Sequence, residues 1–177
     1  DMYYAVAEHV FDDNEFKPDS IGADCSIGAD KVTYHGETTV ADLLLAVGRT
    51  FAVYAQGYDA MVARPDCPDP PDDCHFGLAL TPCDFDPGDI PFLYYEQFVD
   101  KPEYIRDYED IYDDLERGRL PSFAFVKPVG YKSEHPGLGT EITPGIEQVQ
   151  RLLDAIAASA AAPGTVILLT WDQGGGY

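Results

Sequence analysis

Along the chain the apolar positions fall into three blocks, each a helical spacing followed by a short continuous run. In the first, Val40, Leu43, Leu44 and Val47 stand at i, i+3, i+4 and i+7, the pattern of one helix face turned to a core. Thr38 or Thr39 can cap that helix and Gly48 can close it. The run Phe51-Ala52-Val53-Tyr54-Ala55 then predicts a strand buried on both faces. In the second block Asp107 precedes Tyr108, Ile111, Tyr112 and Leu115, Gly118 ends the helix, and Ser122-Phe123-Ala124-Phe125-Val126 forms the strand. The third block is the longest. Thr143 caps it, Pro144 takes the first helical position, and an apolar stripe runs through Ile146, Val149, Leu152, Leu153 and Ile156. Pro163-Gly164 breaks the helix, and Thr165-Val166-Ile167-Leu168-Leu169-Thr170 predicts a further strand.

Strands apolar on both sides, alternating with helices, predict the α/β class: a mostly parallel sheet with helices on both faces. The 177 residues suit one domain, or part of one. Between the first and second blocks lies a stretch of roughly residues 60 to 91, dense in Pro, Asp and Cys. It is too long for an ordinary connection and reads as an inserted cap or loop. The segment through Val10 reads as a short helix, and residues 12 to 37 read as irregular.

Composition narrows the partners. With 32 acidic against 11 basic side chains the formal charge is −21, which excludes general electrostatic binding to nucleic acid backbones or anionic membranes. A phosphate ligand must therefore be met by a local positive centre, and otherwise the acidity describes a solvated surface. No apolar run is long enough to span a bilayer, and Asp1-Met2-Tyr3-Tyr4 has neither the basic nor the apolar part of a signal peptide. The cysteines at 25, 67, 74 and 83 match no zinc spacing. Their even count in loop-like sequence suits disulfides in an oxidising compartment, with all three connectivities open, against the alternative of four free thiols.

In open parallel sheets, ligands sit beyond the carboxyl ends of the strands. Three segments stand there: Gln56-Gly57-Tyr58-Asp59, then Lys127-Pro128 leading to Glu134-His135-Pro136, then Asp172-Gln173 with three glycines. Asp172, just past a predicted strand and beside glycines that admit close backbone approach, is placed to hold a cation. The plain alternative is a turn former or helix cap. His135 can donate a hydrogen bond to a phosphate oxygen, or be an ordinary surface histidine. His9, His35 and His75 carry no role. Phe92-Leu93-Tyr94-Tyr95 and the tyrosines from 104 to 112 read as core and helix face. No Walker loop, dinucleotide fingerprint or Gly-x-Ser-x-Gly elbow occurs.

Five strings in order carry a resemblance. They are Tyr54-Ala55-Gln56-Gly57, Pro91-Phe92-Leu93-Tyr94-Tyr95-Glu96-Gln97-Phe98, Leu120-Pro121-Ser122-Phe123-Ala124-Phe125-Val126-Lys127-Pro128, Glu134-His135-Pro136-Gly137, and Thr170-Trp171-Asp172-Gln173-Gly174-Gly175-Gly176-Tyr177. From about Thr38 onward the chain resembles the phosphoesterase family of bacterial phospholipases C and acid phosphatases, within the alkaline-phosphatase-like superfamily. The resemblance implies hydrolysis of phosphate esters at a site assisted by a divalent metal ion, with a hydroxyl nucleophile and a transient phospho-enzyme. It implies a metal ligand at Asp172, and at His135 the histidine that contacts the phosphoryl group, with Glu134 beside it. The substrate expected is a small-molecule or phospholipid phosphoester, and the location secreted or periplasmic.

Departures from the family pattern qualify that expectation. Where the family places a second acidic ligand stands Gln173, whose amide oxygen can coordinate but brings no charge. Nothing like the Glu-Asn-x-Ser-Phe-Asp segment occurs before Asp1. The Pro-x-Pro-Asn type segment that bears the nucleophile has no counterpart between Phe16 and Thr38, although Ser20 and Ser26 offer hydroxyls there. The chain is thus expected to be the central part of an enzyme, inactive by itself. The alternatives are a non-catalytic binding module on the same fold, and a sulfoester- or phosphonate-cleaving relative, since fold does not fix substrate.

Overall fold

The computed structural model describes residues 34–59, 90–98, 101–134 and 141–171. Its centre is the five-residue strand β1, Phe51–Ala55, buried at every position. β1 is flanked by β2 (Ile105–Asp107) on one side and β3 (Phe123–Lys127) on the other, in the order β2-β1-β3, all parallel. A parallel sheet requires cover on both faces, and the alternating side chains of β1 divide that cover into two layers.

Phe51, Val53 and Ala55 point into an aromatic layer with Phe92, Leu93, Tyr94, Tyr95, Phe98 and Ile105. The Phe51 ring stacks on Tyr104 at 4.9 Å and meets Phe98 edge-on at 5.1 Å, both favourable ring geometries. Helix α1, Val40–Ala46, closes this side through Ala41 and Leu44. Thr39 caps it, accepting from the Asp42 amide while the Asp42 carboxylate accepts from the Thr39 amide, a reciprocal arrangement that satisfies two otherwise orphan donors.

Ala52 and Tyr54 point the opposite way, toward Ile111 and Leu115 of α2 (Asp110–Glu116) and Ile156 of α3 (Ile142–Ala158). α3 is joined to α2 by Arg151, which pairs with Glu109 at 2.8 Å and lies over the Tyr112 ring at 4.1 Å. Beneath this layer Asp114 is buried, accepting from the Tyr54 hydroxyl at 2.7 Å, from Arg119 at 2.9 Å, and from Arg106 of β2. A buried carboxylate is tolerated when paired and hydrogen-bonded in this way.

The expected α/β class, with helices on both faces of a parallel sheet, is present, and four of its details differ from the pattern reading. Of the stripe predicted to face the core in α1 only Leu44 packs inward: Val40, Leu43 and Val47 are exposed, and Ala41 is buried in their place. The expected strand over 165–170 is absent, since that segment pairs with no strand among the described residues and Val166 and Leu168 are 87% and 89% exposed. An apolar run signals a demand for burial, but a strand also needs a neighbour for its backbone. Conversely β2, with two charged residues in three, is an element the apolar pattern does not predict. α3 begins at Ile142 after Glu141, so Pro144 stands third rather than first. Gly48 and Gly118 end their helices as expected, at φ 70° and 63°. The four cysteines, the segment through residue 33, His9 and His75, and the insertion apart from Ile90 and Pro91 lie outside the described residues.

Candidate active site

The register brings Ala55, Asp107 and Lys127 level at the carboxyl ends of the three strands, the edge at which parallel sheets bind ligands. Two of the three segments singled out by sequence leave from this edge. After β1, Gln56 donates its amide to the Lys127 carbonyl at 3.0 Å. Its side-chain oxygen accepts from the Val129 amide at 3.3 Å and from Gln148 Nε2 of α3 at 3.1 Å. One residue therefore ties β1, the start of the loop after β3, and α3 together.

Next to it stands a group of acids. Asp107 accepts from the Asp59 amide at 3.1 Å and from the Glu109 amide at 3.3 Å. Burial, and then the negative charge of Asp107, push the Asp59 and Asp110 carboxyls above the ordinary range. Among the described residues no three His, Cys, Asp or Glu side chains gather as a metal-binding group.

The loop from β3 to α3 carries Lys127 and Lys132, passes the buried Val129, and turns tightly over Gly130–Lys132, where the Ser133 hydroxyl donates to the Gly130 carbonyl at 2.6 Å. It arrives at Glu134 with φ 61°, a left-handed conformation that non-glycine residues hold only when their surroundings enforce it. Those surroundings are specific. Trp171 Nε1 donates to Glu134 Oε2 at 3.2 Å, and on its other side the Glu134 side chain lies against Gly145 in the first turn of α3. Negative charge is favourable at a helix N-terminus.

Of the site residues expected from sequence, Glu134 lies in the loop that leaves the carboxyl edge after β3. His135, Asp172 and Gln173 lie outside the described residues. Their described neighbours, Glu134 and Trp171, are in hydrogen-bond contact across 37 positions of sequence. His35 is a surface residue paired with Glu96 at 2.7 Å. Sequence reasoning missed Gly145, Gln148 and Asp107. The first two lie in a helix whose apolar positions alone carry the pattern, and Asp107 reads from the sequence only as the residue before a helix, not as a strand end.

A model of the Phosphoesterase family matches residues 21–177. The chain belongs to the phosphoesterase family. The match starts earlier than the five resembling strings and includes the segment from residue 21 that lacks the expected nucleophile pattern. No curated protein matches the chain. Family membership makes this a domain of the phosphate ester hydrolase kind, with an ester as its substrate. No helix among the described residues is long and apolar enough to cross a membrane.

Proposed function

We propose that this phosphoesterase hydrolyses phosphate esters of the phospholipase C or acid phosphatase type, on an alkaline-phosphatase-like sheet, at a metal-assisted site formed by His135, Glu134, Asp172 and Gln173. The observation that carries the reading is the Trp171 to Glu134 hydrogen bond at 3.2 Å. It joins the segment that leads into Asp172 to the one that leads into His135, at the sheet edge where ligands bind.

In this reading Asp172 and the amide oxygen of Gln173 hold a hard divalent cation, which oxygen donors suit. When bound, the cation polarises a phosphoryl oxygen as a Lewis acid. His135 donates a hydrogen bond to the phosphoryl group, and Glu134 fixes the segment from which His135 extends. With a neutral amide at 173 and no recognisable nucleophile pattern between Phe16 and Thr38, activity of this chain by itself is expected to be low. The proposed location is secreted or periplasmic, in keeping with four cysteines in a chain of this acidity. Thiol reagents should then label no cysteine until the protein is reduced.

The decisive assay is turnover of p-nitrophenyl phosphate and p-nitrophenyl phosphorylcholine, with divalent metal ions and with chelator. Metal-dependent turnover that Asp172→Ala abolishes supports the enzyme. Absence of turnover of either substrate with every metal, in folded protein, would favour a binding module, the reading that Gln173 also suits.

A further inference from the structure

We infer that α3 is the template that positions Glu134, with Gly145 and Gln148 as its positioning residues, a conclusion that rests on the site proposed above. The two stand three apart in the helix and so share a face. Gln148 holds the entry of the loop: its side-chain amide donates to Gln56 Oε1 at 3.1 Å, and the same oxygen takes the Val129 amide at 3.3 Å. Gly145 holds the exit. It is buried, and a methyl group there would lie 2.6 Å from Glu134 Cγ and 2.8 Å from both Glu134 Oε1 and the Lys132 carbonyl oxygen. Real carbon contacts are never so short, so the missing side chain is the space into which Glu134 fits.

Between those two points the loop has little freedom. The turn at Gly130–Lys132 is closed by Ser133, and Glu134 leaves it at φ 61°. Trp171 then holds the other carboxylate oxygen, donating to Oε2 at 3.2 Å. An unfavourable backbone conformation held by a glycine notch, a glutamine bridge and an indole is how a fold aims a side chain. The helix thereby sets the geometry of the loop that precedes it in sequence.

The chain holds one tryptophan, so its fluorescence reads the Glu134 contact without reference to activity. Gly145→Ala is expected to shift the emission maximum and the acrylamide quenching of Trp171 as Glu134→Ala does. Gly164→Ala, whose methyl would meet nothing within 4 Å, is expected to change neither. The thermal destabilisation caused by Gly145→Ala should shrink in a Glu134→Gly background, which removes the side chain from the notch. Emission like that of wild type in folded Gly145→Ala, or an equal loss in both backgrounds, overturns the inference. Should Gly145→Ala fail to fold, Gln148→Met removes the bridge without adding bulk at the notch, and an unchanged Trp171 emission there overturns it equally. In the phosphoester assay a misplaced Glu134 should lower kcat by about 10²-fold with KM within about twofold. A rise in KM alone speaks against positioning. If no ester is turned over by wild type, the proposed function fails while fluorescence and stability still decide the role of α3.

Discussion

Removing the Asp114 carboxylate would leave Arg106 and the Tyr54 hydroxyl facing each other without the acceptor that both now share. Asp114→Ala is expected to cost about 3 kcal/mol, the usual range when one member of a buried pair is deleted. Asp113→Ala, on the exposed side of the same helix, should cost far less, and urea unfolding compares the two. Carboxylates elsewhere give opposite pH dependences. Burial would raise the Asp42 carboxyl, but hydrogen bonds from Thr39 and Gln97 outweigh it and hold the group below its ordinary value. Asp42 therefore adds stability above the ordinary carboxylate range, lost as pH falls through its lowered value. For Asp59 the sign reverses. Its raised carboxyl binds protons more tightly in the folded state, so its cost is absent in acid and grows as pH rises through the raised value. Asp59→Asn should consequently raise the unfolding temperature at neutral pH and leave it unchanged in acid. Thr39→Ala, which removes the cap, should lower stability at neutral pH by about 1 kcal/mol.

The elements differ in how openly the sequence declared them, and the reasons are physical. β1 was legible because its five apolar residues, β-branched and aromatic among them, follow a helix-closing glycine and suit a strand covered on both faces, and all five are buried. α1 was legible as a helix but not in phase: every residue of Val40–Ala46 except Asp42 is apolar, so spacing alone could not choose the inward side, and the small Ala41 took it. β2 escaped notice because a three-residue edge strand presents too few positions for alternation to show. Glu134 was legible as a loop residue beyond a strand, since Gly and Pro mark that loop in the sequence. Gly145 gave no signal, since its role is the space it leaves for a residue eleven positions earlier. The segment 165–170 announced burial that the described residues do not supply. Val166→Lys with Leu168→Lys is accordingly expected to reduce binding of a hydrophobic dye and self-association while leaving the unfolding temperature nearly unchanged. A fall of several degrees would mean that these side chains are buried in solution.

At the scale of the whole molecule, a formal charge of −21 sets self-repulsion against compaction. Raising salt from low millimolar to physiological strength, where the screening length is about 8 Å, is expected to raise the unfolding temperature, more so at neutral pH than in acid. The order β2-β1-β3 carries a consequence for how the chain reaches this state. Both partners of β1, residues 105–107 and 123–127, follow it in sequence, so neither exists when β1 leaves the ribosome. For as long as synthesis takes to add the intervening stretch, the most apolar strand of the sheet is a nascent segment without a ladder, the condition in which chains misassociate. Sheet closure must then wait for contacts distant in sequence, which slows folding. The central strand, buried at every position in the finished sheet, is thus the strand that waits longest for its partners while the chain is being made.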